Sequence, residues 1–282
     1  MPRRSVLFTP GNKPDLFSKA VKVSPDTVVF DLEDAVPSTQ KDSAIGAVSR
    51  FLTEVSTPPG TELCVRLNRG DDGIAELQSF KRDGVLPNLD AVMLPKTESV
   101  ADVNRIGQAL PDKGDSLKVF ALIETAKGIL SAAEIASGSQ TDALVLGGED
   151  FATDINARRT ATGAEIQYAR QHLIVAAAAH NVDAIDTVYT NYEDTEELQK
   201  VSKQAVDLGF DGKLAIHPSQ VEVITTAFTP DDAEIAWAKK VVKANKDASD
   251  GAFSVDGQMI DAPVLKQAEN ILERASDNST DG

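Results

Sequence analysis

Eight short apolar runs, at residues 5–8, 27–30, 63–67, 91–94, 119–123, 143–146, 182–185 and 213–216, recur at the spacing of a β-α repeat. They are rich in Val, Leu and Ile and too short for helices, so they read as strands buried on both faces. Helical signals fill the intervals, at 97–110, at 162–180 with alanines at 176–179, and at 195–208 just before Gly209. Eight strands alternating with helices predict an α/β fold, a (β/α)8 TIM barrel; an open doubly wound sheet is the other arrangement they permit. The residues after each strand separate the two. They are Thr9-Pro10-Gly11-Asn12, Asp31-Leu32-Glu33-Asp34, Arg66 with Asn68, Pro95-Lys96, Glu124-Thr125, Gly147-Gly148-Glu149-Asp150, Asp186-Thr187 and His217-Pro218. A closed barrel gathers such polar ends on one face, whereas an open sheet gathers them only at its switch point. The barrel is the expected fold.

The pattern changes after the eighth strand. Pro230 precedes a helical stretch at 231–245, and Asp256-Gly257 sits between short apolar runs as a two-residue hairpin turn. A last amphipathic helix runs from Pro263 to about residue 275, with proline at its start. The expected organisation is a barrel over 1–228 and a C-terminal arm over 229–282, ending in a polar tail at 277–282.

Composition narrows the partners. Forty-four acids against 28 bases leave a formal charge of −16, which excludes a nucleic-acid binder needing a basic face. No run approaches the ~18 apolar residues of a membrane span, and Met1-Pro2-Arg3-Arg4 precedes only a short apolar stretch, unlike a signal peptide. Cys64 is the one cysteine, so intramolecular disulfides are excluded and a cytoplasmic location is expected. The acids are scattered, which suits a halophilic, salt-adapted surface as well as ordinary solubility.

Glu124 and Asp150 end strands five and six, which are neighbours in a barrel. Two carboxylates there suit Mg²⁺, which keeps waters and takes substrate oxygens; the alternative is that each caps the next helix. Arg66 ends an otherwise apolar strand and must find an anion: Asp31, Glu33 or Asp34 internally, or a substrate carboxylate. Asp31, Glu33 and Asp34 crowd one turn and form a candidate outer shell; Glu33 and Asp34 equally could cap a helix or pair with Lys41. His172 and His180 are too far apart for a zinc helix, which leaves His217 as the histidine candidate. Cys64, mid-strand, reads as packing. Gly-x-Ser-x-Gly, Gly-x-Gly-x-x-Gly and P-loop patterns are absent. Asp261 reads from spacing alone as the N-cap of the last helix.

Arg4-Ser5-Val6-Leu7-Phe8-Thr9-Pro10-Gly11, Asp31-Leu32-Glu33-Asp34-Ala35-Val36, Arg66-x-Asn68, Ile123-Glu124-Thr125, Gly147-Gly148-Glu149-Asp150, Ile216-His217-Pro218 and Met259-Ile260-Asp261 occur in this order. The set resembles the citrate lyase β-subunit-like family of malyl-CoA, β-methylmalyl-CoA and citramalyl-CoA lyases, from residue 3 to about 275. The resemblance implies a barrel assembled as a homotrimer or hexamer, acting on acyl-CoA and 2-oxo acid substrates with Mg²⁺ or, in its place, Mn²⁺. It implies that Glu124 and Asp150 are metal ligands and that Arg66 binds the 2-oxo acid. Phe8, Lys19, His217 and Pro218 would line the acyl-CoA site, and Asp261 would be an acid/base group delivered into a neighbouring subunit's site. The activity so implied is reversible cleavage of malyl-CoA or β-methylmalyl-CoA to glyoxylate and acetyl-CoA or propionyl-CoA. Citramalyl-CoA or citryl lyase, thioesterase or malate synthase activity on the same scaffold, and a noncatalytic acyl-CoA-binding subunit are the alternatives.

Overall fold

Strand β1 (Ser5–Pro10) pairs in parallel with β2 (Thr27–Asp31) on one side and β8 (Gly212–Ala215) on the other, and the second pairing closes the sheet. Between them run β3 (Glu62–Arg66), β4 (Ala91–Leu94), β5 (Lys118–Ile123), β6 (Thr141–Leu146) and β7 (Asp183–Asp186), each beside its sequence neighbour. The closed order is the expected (β/α)8 barrel and rules out the open sheet. This computed structural model describes residues 2–55, 59–110, 117–247 and 252–276.

The two-residue period of a strand divides the apolar residues between two cores. Val6, Val29, Cys64, Met93, Phe120, Leu122, Val145, Ile185 and Leu214 fill the barrel interior. Leu7, Val28, Phe30, Leu63, Val65, Ala121, Ile123 and Leu144 pack outward against the helices. Cys64 is inert packing, as its position predicts: it is fully buried, and burial pushes its thiol well above the ordinary value. Arg3 closes the lower end of the interior. Its guanidinium donates to Glu62 at 2.8 and 2.9 Å and to Asp183 at 2.6 Å, meets Asp142, and lies 4.6 Å over the Phe120 ring.

Helix ends account for most departures from the expected boundaries. The helix expected from 97 begins at Val100, because Ser99 N–H donates to the Asp102 carboxylate at 3.0 Å and fixes the start there. The stretch from 162 opens as a 3-10 turn, Ala164–Ile166, before the helix Gln167–His180. Thr195–Leu208 matches its expected bounds. Asp194 caps its start by accepting from Glu197 N–H, and Gly209, at φ 103°, ends it in the left-handed region.

The C-terminal segment has its own small core. The helix Asp232–Asp247, the hairpin β9 (Phe253–Val255) and β10 (Gln258–Ile260), and the helix Ala262–Ser276 enclose Ala238, Val241, Val255, Ile260 and Ala268, apart from the barrel's two clusters. Asp256 and Gly257 turn the hairpin at φ 50° and 82°, the paired left-handed conformation that Asp-Gly favours. The polar tail at 277–282 lies outside the described residues. No helix among the described residues is long and apolar enough to cross a membrane.

Candidate active site at the barrel mouth

The inward half of the strand pattern runs off the C-terminal ends of the strands into polar residues. Asp31 follows Val29, Arg66 follows Cys64, Glu124 follows Leu122, and Thr187 follows Ile185, two residues on in each case. Arg66, Glu124 and Thr187 line a cavity of about 170 Å³ at the mouth, with Phe8, Leu122 and Leu214 as apolar floor and Gly147, Gly148 and Asp150 as wall.

Asp31 and Arg66 are register partners on β2 and β3. The Asp31 carboxylate accepts from Arg66 Nε and Nη2, both at 2.7 Å, and from the backbone N–H groups of Glu33 and Ala35 at 2.9 and 3.1 Å. The guanidinium fork is thus committed to an internal carboxylate, leaving Nη1 toward Glu33 at 3.1 Å and Asp34 at 3.9 Å. The Glu33 approach lacks hydrogen-bond alignment and is a charge contact. Burial works against the Arg66 cation, but hydrogen bonds and charge from Asp31, reinforced by Glu33 and Asp34, raise its pKa above the ordinary value. The Phe8 ring lies 4.9 Å from the guanidinium carbon. Lys41 does not pair with the acidic side chains. Its ammonium donates to the carbonyls of Leu32 and Glu33 at 2.5 and 2.6 Å and to Asn68 Oδ1 at 2.8 Å, pinning the turn from below.

Glu124 is buried and caps no helix; Thr125 does that, accepting from Gly128 N–H at 3.0 Å. Its Oε1 instead accepts from Lys96 N–H at 2.8 Å. Its carboxyl is pushed up to about 8, by burial first, opposed by the Lys96 amide and reinforced by the charges of Asp150 and Glu33. Glu33 is likewise raised, by burial and by Asp34 against the pull of Arg66. Asp150 lies in the first turn of the helix Gly148–Asp154, with the Lys96 ammonium at 4.0 Å. A carboxyl so disfavoured as an anion, beside more carboxylates than cations, fits a site built to take an added positive charge. The glycines fit as well: a Cβ on Gly147 would stand 2.4 Å from Glu124 Oε2, and one on Gly148 would stand 2.7 Å from Thr187 Oγ1. Among the described residues no group of three or more His, Cys, Asp or Glu is placed to hold a metal ion, so Glu124 and Asp150 are at most two protein ligands for one. Two such ligands leave positions for waters and substrate oxygens, the habit of Mg²⁺.

The remaining candidates lie farther out. His217 is exposed and stacks on Tyr192 with centroids 4.7 Å apart, its Nδ1 2.7 Å from Ser219 Oγ; Pro218 begins the next helix beside it. Lys19 sits on the exposed face of the short helix Phe17–Lys22, outside the residues that line the cavity. Asp261 accepts from Val264 N–H at 3.2 Å, the cap that its spacing predicts, and is also absent from the cavity lining of its own chain. Asp186 is a strand-end acid, but it faces outward. It pairs with Lys213 at 2.7 Å and with Arg170 at 3.0 Å behind the barrel wall.

Sequence reasoning passed over two site residues. Lys96 carried the strand-end signal yet was not singled out. Thr187 carried it too, and its Oγ1 accepts from Gly148 N–H at 2.9 Å, steadying the turn that bears Asp150.

Residues 4–218 match the family model HpcH/HpaI aldolase/citrate lyase. The chain is 36% identical to the mitochondrial citramalyl-CoA lyase of Rattus norvegicus, over 98% of this chain and 87% of that one. It is also 36% identical to the citrate lyase subunit beta of Haemophilus influenzae, over 97% of each. Protein CitE from Mycobacterium tuberculosis, solved in complex with magnesium, acetoacetate and coenzyme A, superposes with a TM-score of 0.80 at 34% identity, covering 98% of both chains. Barrel closure, the order of the motifs and similarity along nearly the whole length agree: the chain belongs to the HpcH/HpaI aldolase/citrate lyase family.

Proposed function

We propose that the chain is a Mg²⁺-dependent carbon–carbon lyase that cleaves a 3-hydroxyacyl-CoA to a 2-oxo acid and a shorter acyl-CoA. The observation that carries this reading is the pair Glu124 and Asp150 beside Arg66, around one cavity of about 170 Å³ at the barrel mouth. Glu124 and Asp150 would hold the ion, which when bound stabilises negative charge developing on the substrate oxygens. Arg66, whose fork is fixed by Asp31 and whose Nη1 faces Glu33, would add a positioned positive charge beside the same oxygens, where a fixed cation needs no reorganisation during reaction. Gly147 and Gly148 let Glu124 and Thr187 pack against the turn that bears Asp150. An acyl-CoA would reach the cavity past His217 and Pro218, with Tyr192 stacked on His217, and would meet Phe8 at its floor, while Lys19 on an outer helix would serve its anionic portion.

As the C3 hydroxyl gives up its proton to water, its oxygen becomes the carbonyl of the 2-oxo acid, the bond between C2 and C3 breaks, and the electron pair of that bond is left on the thioester as an enolate. Asp261 would give that carbon its proton, and would remove the proton in the reverse condensation. Because Asp261 does not line the cavity of its own chain, the arm would deliver it to a neighbouring subunit of a homotrimer or hexamer, with 1–228 as barrel and 229–282 as arm.

Malyl-CoA or β-methylmalyl-CoA, yielding glyoxylate and acetyl-CoA or propionyl-CoA, is the substrate reading expected from the motifs. Citramalyl-CoA, yielding pyruvate, is a second reading supported by the 36% identical relative of that name. Incubation with each thioester and Mg²⁺, followed by identification of the 2-oxo acid, decides between them. Release of free malate or citramalate with free coenzyme A would instead indicate thioester hydrolysis, and no turnover of any thioester would indicate a binding subunit.

A further inference from the structure

Lys96 joins both proposed ligands. It follows Leu94 and Pro95 beyond the end of β4 with φ 48°, a left-handed conformation uncommon outside glycine. Such strain persists where the surroundings impose it, and here it lets one residue act in two directions. The backbone N–H turns to Glu124 Oε1 at 2.8 Å. The half-buried ammonium lies 3.6 Å from Glu33 Oε1 and 4.0 Å from Asp150 Oδ2, within reach of the charges of Asp34 and Glu124 as well. Arg66 spends its fork on Asp31, so Lys96 is the cation set against Asp150.

We propose that Lys96 competes with a divalent ion for Asp150: its ammonium offsets the charge of Glu33 and Asp150, and an ion taken up by Asp150 must displace or outweigh it. The inference rests on the reading of Glu124 and Asp150 as metal ligands. The physical consequence has two opposite signs. Removing the ammonium takes a positive charge away from the incoming ion and so favours its binding. The same change leaves the carboxylates of the metal-free protein without their counter-charge and so destabilises that state. A side chain that merely preorganised the ligands would give the reverse effect on binding.

The test is calorimetric titration of Mg²⁺ into wild type, Lys96→Met, Lys96→Arg and Glu124→Gln, with thermal unfolding of each in chelator and in saturating Mg²⁺. Lys96→Met is expected to bind Mg²⁺ about fivefold more tightly or better, since a like charge a few ångströms from the ion has gone. It should also unfold earlier in chelator and gain more from Mg²⁺ than wild type does. Lys96→Arg should stay near wild type, because it keeps the charge. Should Lys96→Met not fold, Lys96→Asn carries the same readout, since asparagine tolerates the left-handed backbone. Affinity in the neutral variant equal to or weaker than wild type, with Glu124→Gln abolishing binding, overturns this inference and leaves the metal site standing. Wild type that binds no Mg²⁺, or binding indifferent to Glu124→Gln, overturns the ligand reading and this inference with it.

Discussion

Gly147→Ala tests whether the site depends on the exact place of the Glu124 carboxylate. A Cβ at residue 147 would lie 2.4 Å from Glu124 Oε2 and 2.5 Å from its Cβ, while Gly147 itself has φ −90°, which alanine adopts without strain. The damage is therefore steric and local. Glu124 is buried and tethered through Oε1 to the Lys96 amide, so it cannot swing into solvent. Opening the contact to an ordinary 3.4 Å displaces the carboxylate by about 1 Å. A misplacement of that size at a reacting centre costs on the order of 10²-fold in rate, or about 2.7 kcal/mol of barrier. Overpacking should cost about 1–3 kcal/mol of stability as well. The assay is steady-state cleavage of the active thioester at saturating Mg²⁺, beside urea denaturation. Gly46→Ala is the control: on the helix Lys41–Glu54 its nearest neighbour would be Arg50 Nη1 at 3.5 Å, and it should gain roughly 0.5–1 kcal/mol with unchanged turnover. Gly147→Ala with turnover within about twofold of wild type would refute the argument, because it would separate catalysis from the Glu124 position.

The other perturbations address the frame and the assembly. Arg3→Met removes the cation common to Glu62, Asp142 and Asp183 at the barrel base, leaving Glu62 and Asp142 only the half-exposed Lys118 at 3.5 Å, and should lower unfolding free energy by about 3 kcal/mol in urea titration. Burial opposes the Asp186 anion, but Lys213 and Arg170 outweigh it and hold the folded pKa below the ordinary value. The stability from Asp186 is therefore present above its unfolded value of about 4 and lost as pH falls through the lower folded value. Asp186→Asn should melt earlier than wild type at about pH 7 and show a shallower fall in melting temperature below about pH 4. If the arm serves its neighbour, co-assembly of the inactive variants Asp261→Asn and Glu124→Gln should restore about a quarter of wild-type activity, since random assortment gives that share of sites both native groups. Assemblies that stay inactive would place Asp261 in its own chain's site, and an Asp261→Asn variant active by itself would place it outside catalysis.

The strand pattern made the barrel and much of the site legible before any coordinates. Two-residue periodicity not only predicts which apolar residues face inward but continues past the strand ends, so that Arg66 and Glu124 inherit the inward direction of Cys64 and Leu122. The same parity explains Asp186, which sits one residue out of phase and faces the helices. What the sequence did not disclose depends on contacts between distant residues. Arg3 meets partners 59 to 180 positions away, and the Asp31–Arg66 pairing follows from strand register. Lys96 owes its two contacts to a left-handed backbone that no motif announces. The stacking of Tyr192 on His217 depends on how two loops fold over the barrel mouth. Asp261 shows a further limit: within one chain it is simply a helix cap, and its proposed chemistry belongs to an assembly.

The central claim is that Glu124 and Asp150 together hold the ion on which carbon–carbon cleavage depends. Measuring 2-oxo acid release from the cleaved thioester against Mg²⁺ concentration, for wild type, Glu124→Gln and Asp150→Asn, tests it directly. Wild type should fall silent in chelator and recover with Mg²⁺, while each variant should need far more Mg²⁺ or stay inactive. Undiminished release of the 2-oxo acid by wild type in chelator, or variants with the Mg²⁺ dependence of wild type, would contradict it.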